Sequence, residues 1–117
     1  MTFKDDSIFV EHILESIEAV EKFSKGMTRS ELVKNRLKQS AIIREIEVIG
    51  EAVKNISKSI KEKYKNISWR EISGTRDKMI HHYFGIDLEI VWEIVKIGLP
   101  ELKKQMIKIR TALKRVA

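Results

Sequence analysis

Apolar side chains recur at three- and four-residue spacing along almost the entire chain, and a single proline, Pro100, is available to break the pattern. Because an α-helix turns once in about 3.6 residues, that spacing gives each of a series of helices one apolar face to bury. Five glycines in 117 residues leave little of the turn chemistry that a many-stranded sheet demands. Apolar residues at 43% beside 34% charged residues suit amphipathic helices with a shared core rather than a disordered chain. The expectation is an all-α fold, a bundle of four to five helices packed as a single domain over residues 1–117.

The first helix is predicted to start at Asp6 or Ser7, both favourable N-caps. Its stripe runs through Ile8, Phe9, Val10, Ile13, Leu14, Ile17, Val20 and Phe23 until Ser24-Lys25-Gly26 stops it. Thr28-Arg29-Ser30-Glu31 reads as a capping box. It opens a long helical stretch with apolar positions at Leu32, Val33, Leu37, Ala41, Ile42, Ile46, Ile49, Val53, Ile56 and Ile60, and with a break near Asn35. Gly50, inside that stretch, costs about 1 kcal/mol against alanine and marks either a close helix approach or a tolerated defect. Lys61 to Asn66 is predicted to be a polar connector. Ser68-Trp69-Arg70-Glu71 reads as a second capping box, opening a third helix through Ile72, Met79 and Ile80 that Gly85 ends. Asp87 caps a fourth helix. After an interruption at Gly98-Leu99-Pro100, the proline fits the first turn of a fifth.

The net charge of +6, from 23 basic and 17 acidic residues, is unevenly placed. Between Met1 and Glu21 the acids Asp5, Asp6, Glu11, Glu15, Glu18 and Glu21 meet only Lys4. Beyond Glu101 there is no acid, but Lys103, Lys104, Lys108, Arg110, Lys114 and Arg115. A basic segment of this kind suits a phosphate backbone or an acidic partner; it equally suits the C-terminal end of a helix. With no cysteine, disulfides, thiolate metal sites and cysteine nucleophiles are excluded. The N-terminal stretch lacks the pattern of a secretory signal, and no apolar run approaches the ~18 residues that span a membrane. A cytoplasmic protein is expected.

Reactive side chains concentrate in Arg76-Asp77-Lys78-Met79-Ile80-His81-His82-Tyr83. Cutting RNA requires that a 2′-hydroxyl lose a proton, that the leaving 5′-oxygen gain one, and that the extra negative charge on the phosphorane be stabilised. Histidine titrates near neutrality and can move the protons. Arginine is always cationic, with a planar fork of donors suited to phosphate oxygens. One arginine and one histidine therefore form a minimal metal-free ribonuclease set. Two adjacent histidines cannot both face one metal from a helix, so no metal site and no cofactor are expected. On a continuous helix Arg76 and His81 lie about 140° and about 7.5 Å apart, whereas Arg76 and Tyr83 fall within about 20° of one line. Arg76 and His81 converge only if the arginine bends across, if the helix ends near His81, or if a second subunit brings its own copy across a twofold axis. Plainer roles also fit: His81 and His82 as helix-end caps, and Arg76-Asp77 as a surface ion pair.

Arg76, His81 and Tyr83 together match R-x4-H-x-Y, and at this motif the chain resembles the HepT-like toxins, a branch of the HEPN superfamily. The blocks Ile13–Met27, Ile42–Ser57 and Ile67–Met106 resemble the corresponding family segments, so the similarity covers nearly the whole chain. It implies a HEPN-like helical bundle and a homodimer whose two motifs line one cleft. It also implies metal-independent endoribonuclease activity as the toxin of a prokaryotic toxin–antitoxin pair. Arg76 and His81 map onto the motif's catalytic arginine and histidine, with Asp77 and His82 in support. Position 77 is commonly asparagine in such proteins; Asp77 puts an extra negative charge beside the phosphate site, or orients Arg76 or His81 through a hydrogen bond. The usual partner is a minimal nucleotidyltransferase antitoxin that transfers AMP from ATP onto the motif tyrosine, here Tyr83. A bulky anion there would exclude RNA by sterics and charge.

A second reading makes the same bundle a non-catalytic accessory subunit that docks the nucleotidyltransferase or holds a nucleotide, with Arg76 gripping phosphate. A titratable histidine beside an arginine favours the nuclease. A repressor built on the basic final helix ranks lower, because no helix-turn-helix pattern is present.

Overall fold

The apolar stripes become helices in the computed structural model, which describes residues 3–81 and 85–116. In chain order these are α1 (Phe3–Ser24), α2 (Arg29–Lys34), α3 (Arg36–Asn55), α4 (Lys58–Lys63), α5 (Trp69–Ser73), α6 (Thr75–Met79), α7 (Leu88–Glu93) and α8 (Leu99–Val116). A two-residue antiparallel hairpin, β1 (Ile80–His81) with β2 (Gly85–Ile86), follows α6. Among the described residues the fold is all-α apart from that hairpin. The four or five helices expected are instead three long ones and a set of one- to two-turn pieces.

The helix α1 packs against both α3 and α8. Val10, Ile13 and Ile17 from α1, Ile42, Ile49 and Val53 from α3, and Met106 and Ile109 from α8 are fully buried between them. Full burial of each such side chain contributes about 1.5–3 kcal/mol. The uneven charge has a structural outlet in the same helix pair. Lys103 of α8 meets Glu21 of α1 at 2.9 Å, and Arg110 meets Glu11 at 3.5 Å. Part of the acid-rich start of the chain and part of its basic end are thus two faces of one contact.

Several boundaries differ from expectation. α1 begins at Phe3, before Asp6, and Asp6 does not serve its own helix. It is 1% exposed, and its carboxylate accepts from the Ser57 backbone N–H at 2.8 Å and from the Ser57 hydroxyl at 2.7 Å. Ser57 in turn caps α4 through the Ile60 N–H. This long-range bond sits at the turn that ends α3 at Asn55, five residues short of the predicted run to Ile60. It also turns half of the presumed connector, Lys61 to Asn66, into helix. The break at Asn35 is present: Asn35 caps α3 by accepting from Lys38 N–H at 2.9 Å, and Gln39 donates to the Leu32 and Val33 carbonyls that α2 leaves open. The break rotates two predicted core positions outward, leaving Val33 and Leu37 exposed. Thr28 caps α2 as predicted, its hydroxyl accepting from Glu31 N–H, but the Glu31 carboxylate accepts from that hydroxyl and not from the backbone N–H that would complete a capping box.

Gly98-Leu99-Pro100 does not interrupt the chain. α7 passes through a π-turn, Ile94–Gly98, straight into α8, and Leu99 N–H donates five residues back to Ile94. Pro100 has no N–H to give and crowds the carbonyl four residues before it, which a wider turn relieves. Among the described residues, no helix is long and apolar enough to cross a membrane.

Candidate active site

The motif segment is held to the long helices by a few anchors. Trp69 is buried at the start of α5, and its indole donates to the Tyr64 carbonyl at 3.0 Å. Ser68 makes no side-chain cap, so the second predicted capping box does not form. At the other end of α5 the Thr75 hydroxyl reaches back to the carbonyls of Ile72, at 2.7 Å, and Glu71, at 3.0 Å. Gly50 of α3 lies against this end. A Cβ there would stand 3.5 Å from both the Ile72 and the Ser73 oxygens, which is ordinary van der Waals contact, so of the two readings of this glycine the tolerated defect is the one the geometry fits.

α6 carries Arg76 and Asp77 and ends at Met79, which is fully buried. Ile80 is extended, with φ −109° and ψ 116°, and the chain enters the hairpin, where Ile80 pairs with Ile86 and His81 with Gly85. Gly85 has φ +81°, a left-handed conformation that favours glycine. Asp87 N–H closes the hairpin onto the Met79 carbonyl at 2.7 Å, and the Asp87 carboxylate caps α7 as predicted, accepting from Ile90 N–H. The third helix therefore does not reach Gly85. The helical register that would align Arg76 with Tyr83 does not exist, because the helix stops after Met79. α6 thus ends two residues before His81. The backbone of His81 is described and its imidazole is not; His82 and Tyr83 lie outside the described residues.

Arg76 is paired across the fold rather than with its neighbour. Its Nε donates to Glu47 Oε2 on α3 at 2.8 Å, a contact 29 residues away, in place of the surface pair with Asp77 that the sequence also allowed. The Arg76 side chain is 64% exposed and that of Glu47 26%. At that exposure the pair contributes about 0–1 kcal/mol; its main effect is directional. The pair borders a cavity of about 480 Å³ lined by Arg44, Glu47, Glu51 and Lys54 of α3 and by Ser73, Arg76 and Asp77. The sequence reading missed Glu47 and Arg44, although both lie inside the Ile42–Ser57 block; only their three-residue spacing, which puts them on one face of a helix, hints at a shared role. A second hollow of about 420 Å³, largely apolar, lies between α3, α5 and the π-turn and holds none of the predicted site residues. His12 on α1 stands edge-on to Phe9, with ring centroids 6.2 Å apart. Among the described residues no group of three or more His, Asp or Glu is placed to hold a metal ion.

Residues 13–109 match the model of the ribonuclease HepT-like family, and the chain belongs to that family. Among its relatives is a Methanocaldococcus jannaschii protein named "Putative RNase", 45% identical over 109 residues, covering 93% of this chain and 90% of that protein. A Thermococcus cleftensis protein named "Probable ribonuclease HepT" is 40% identical over 102 residues, covering 87% of this chain and 93% of that one. A further M. jannaschii protein, named "Gamma-glutamylcyclotransferase and putative RNase", is 44% identical over 110 residues; these cover 94% of this chain but 50% of the longer relative. No solved structure matches the chain.

Proposed function

We propose that this chain is a metal-independent endoribonuclease toxin of a toxin–antitoxin pair, a single HEPN-like domain that works as a homodimer, with Arg76 and His81 at the cleavage site. One observation carries the reading: the chain belongs to the ribonuclease HepT-like family, and Arg76, His81 and Tyr83 all fall within the matched segment. The exposed guanidinium at the edge of a cavity supports it.

In this mechanism the His81 imidazole takes the 2′-hydroxyl proton as the 2′-oxygen attacks phosphorus. The bond from phosphorus to the 5′-oxygen breaks, and that oxygen receives a proton from the partner subunit's His81 across the twofold axis. The products are a 2′,3′-cyclic phosphate and a 5′-hydroxyl. Arg76 holds the non-bridging oxygens as negative charge builds on them. Asp77, next to Arg76 in the chain, and His82, next to His81, are assigned supporting roles. Neutralisation follows when a minimal nucleotidyltransferase antitoxin directs the Tyr83 hydroxyl onto the α-phosphorus of ATP; pyrophosphate leaves, and the tyrosyl AMP excludes RNA by bulk and charge.

Expression of the wild-type chain should arrest growth of its host, and the purified protein should cut RNA without added metal. Arg76→Ala and His81→Ala should each lower cleavage by about 10²–10⁴-fold and leave thermal melting unchanged. A wild-type protein that neither slows growth nor cuts any RNA overturns the nuclease. If that protein still binds a nucleotidyltransferase, the accessory-subunit reading takes its place.

A further inference from the structure

We infer that Glu47 is a positioning residue for Arg76, setting the guanidinium so that its outer edge faces the cavity; this rests on the ribonuclease reading above. A guanidinium offers Nε–H and two NH₂ groups in one plane. Glu47 Oε2 takes the Nε–H at 2.8 Å, and among the described residues Glu47 alone bonds the Arg76 side chain. With Nε engaged from the α3 side, the plane of the fork is fixed and both NH₂ groups stay available for the two non-bridging oxygens of one phosphate.

The two partners are unequally exposed, which suits this division of labour. Glu47 is roughly three-quarters covered and sits in the middle of α3, a 20-residue helix. Arg76 is mostly exposed and stands on α6, which has five residues. A short helix with a long, flexible arginine needs an external reference point, and the scaffold helix supplies one. The same face of α3 carries Arg44, which lines the cavity with Arg76. The charged lining is balanced, with Arg44, Lys54 and Arg76 against Glu47, Glu51 and Asp77, so the orientation of the Arg76 fork matters more there than bulk charge.

A carboxylate beside the phosphate site has opposing effects on the two stages of the reaction. It weakens the general attraction for RNA and strengthens the orientation needed in the transition state. Its removal should therefore separate affinity from turnover. The test uses the full chain with a fluorophore–quencher single-stranded RNA of mixed sequence for turnover, and the 2′-deoxy form of the same oligonucleotide for affinity. Glu47→Ala should lower kcat by roughly tenfold to a hundredfold, the scale of a displaced catalytic group, while the 2′-deoxy probe binds as tightly as to wild type or more tightly. Glu47→Gln keeps an acceptor for Nε–H and should fall between wild type and Glu47→Ala, with unchanged melting. Wild-type kcat in folded Glu47→Ala overturns the inference, as does a loss confined to affinity. A separate readout is independent of cleavage: hydrogen exchange at Arg76 Nε–H, followed by NMR, should be slow in wild type and fast in Glu47→Ala. If the wild-type chain cuts no RNA, the ribonuclease reading falls and this exchange difference decides alone whether Glu47 sets the guanidinium. Equal exchange in both proteins overturns it.

Discussion

The α1–α3–α8 scaffold and the motif segment from Trp69 to Ile86 are built on opposite principles. The scaffold helices run for 22, 20 and 18 residues and bury a periodic stripe against one another. The segment that carries Arg76 and His81 consists of two five-residue helices and a two-residue hairpin. Isolated helices shorter than about 12–15 residues are marginal in water, so α5 and α6 exist because they are docked. Their attachment is a short set of contacts: the buried Trp69 and Met79, the Arg76–Glu47 pair, and the packing at Gly50. In this fold, the long helices pack on one another, and the segment that carries the motif borrows its shape from them.

That contrast can be broken most sharply at Met79, the buried side chain that joins α6 to the hairpin. Met79→Ala should cost about 2–5 kcal/mol in urea denaturation and should remove RNA cleavage as well, because the same side chain sets where the helix stops. Met79→Leu, close in volume, should cost less than about 1.5 kcal/mol and keep cleavage. A Met79→Ala protein with wild-type turnover would show that the motif segment does not depend on its docking.

Asp6 tests the other side of the comparison. It is buried in the scaffold region and holds Ser57 through two hydrogen bonds. Asp6→Ala should destabilise the chain by about 1–3 kcal/mol, the cost of leaving such partners unsatisfied. Cleavage per folded molecule should not change. Parallel losses of stability and turnover would instead tie α4 to the active segment.

Gly50 lies on the boundary between the two regions, and its smallest substitution gives the finest measurement. A Cβ at 3.5 Å from the Ile72 and Ser73 carbonyls is in ordinary contact. Gly50→Ala should accordingly gain up to about 1 kcal/mol from helix propensity with turnover unaltered, read by thermal melting and by the same RNA assay. A drop in turnover without a drop in melting temperature would locate the site's sensitivity in the α3–α5 spacing.

Periodicity and local chemistry alone determined the all-α class, the stripes of α1, α3 and α8, the cap at Thr28, the break at Asn35 and the cap at Asp87, because each depends on side chains within a few residues of one another. The cluster from Arg76 to Tyr83 stood out for the same reason: its chemistry is contiguous in the chain. Tertiary structure alone decided where α3 ends, since Asp6 reaches Ser57 across 51 positions. It alone ended α6 at Met79, where burial and the bond from Asp87 outweigh a helical pattern that reads on to Gly85. It also chose Glu47, 29 residues away, as the partner of Arg76 in place of adjacent Asp77. Contacts of that kind depend on which helix faces are brought together, and no spacing along one segment encodes them.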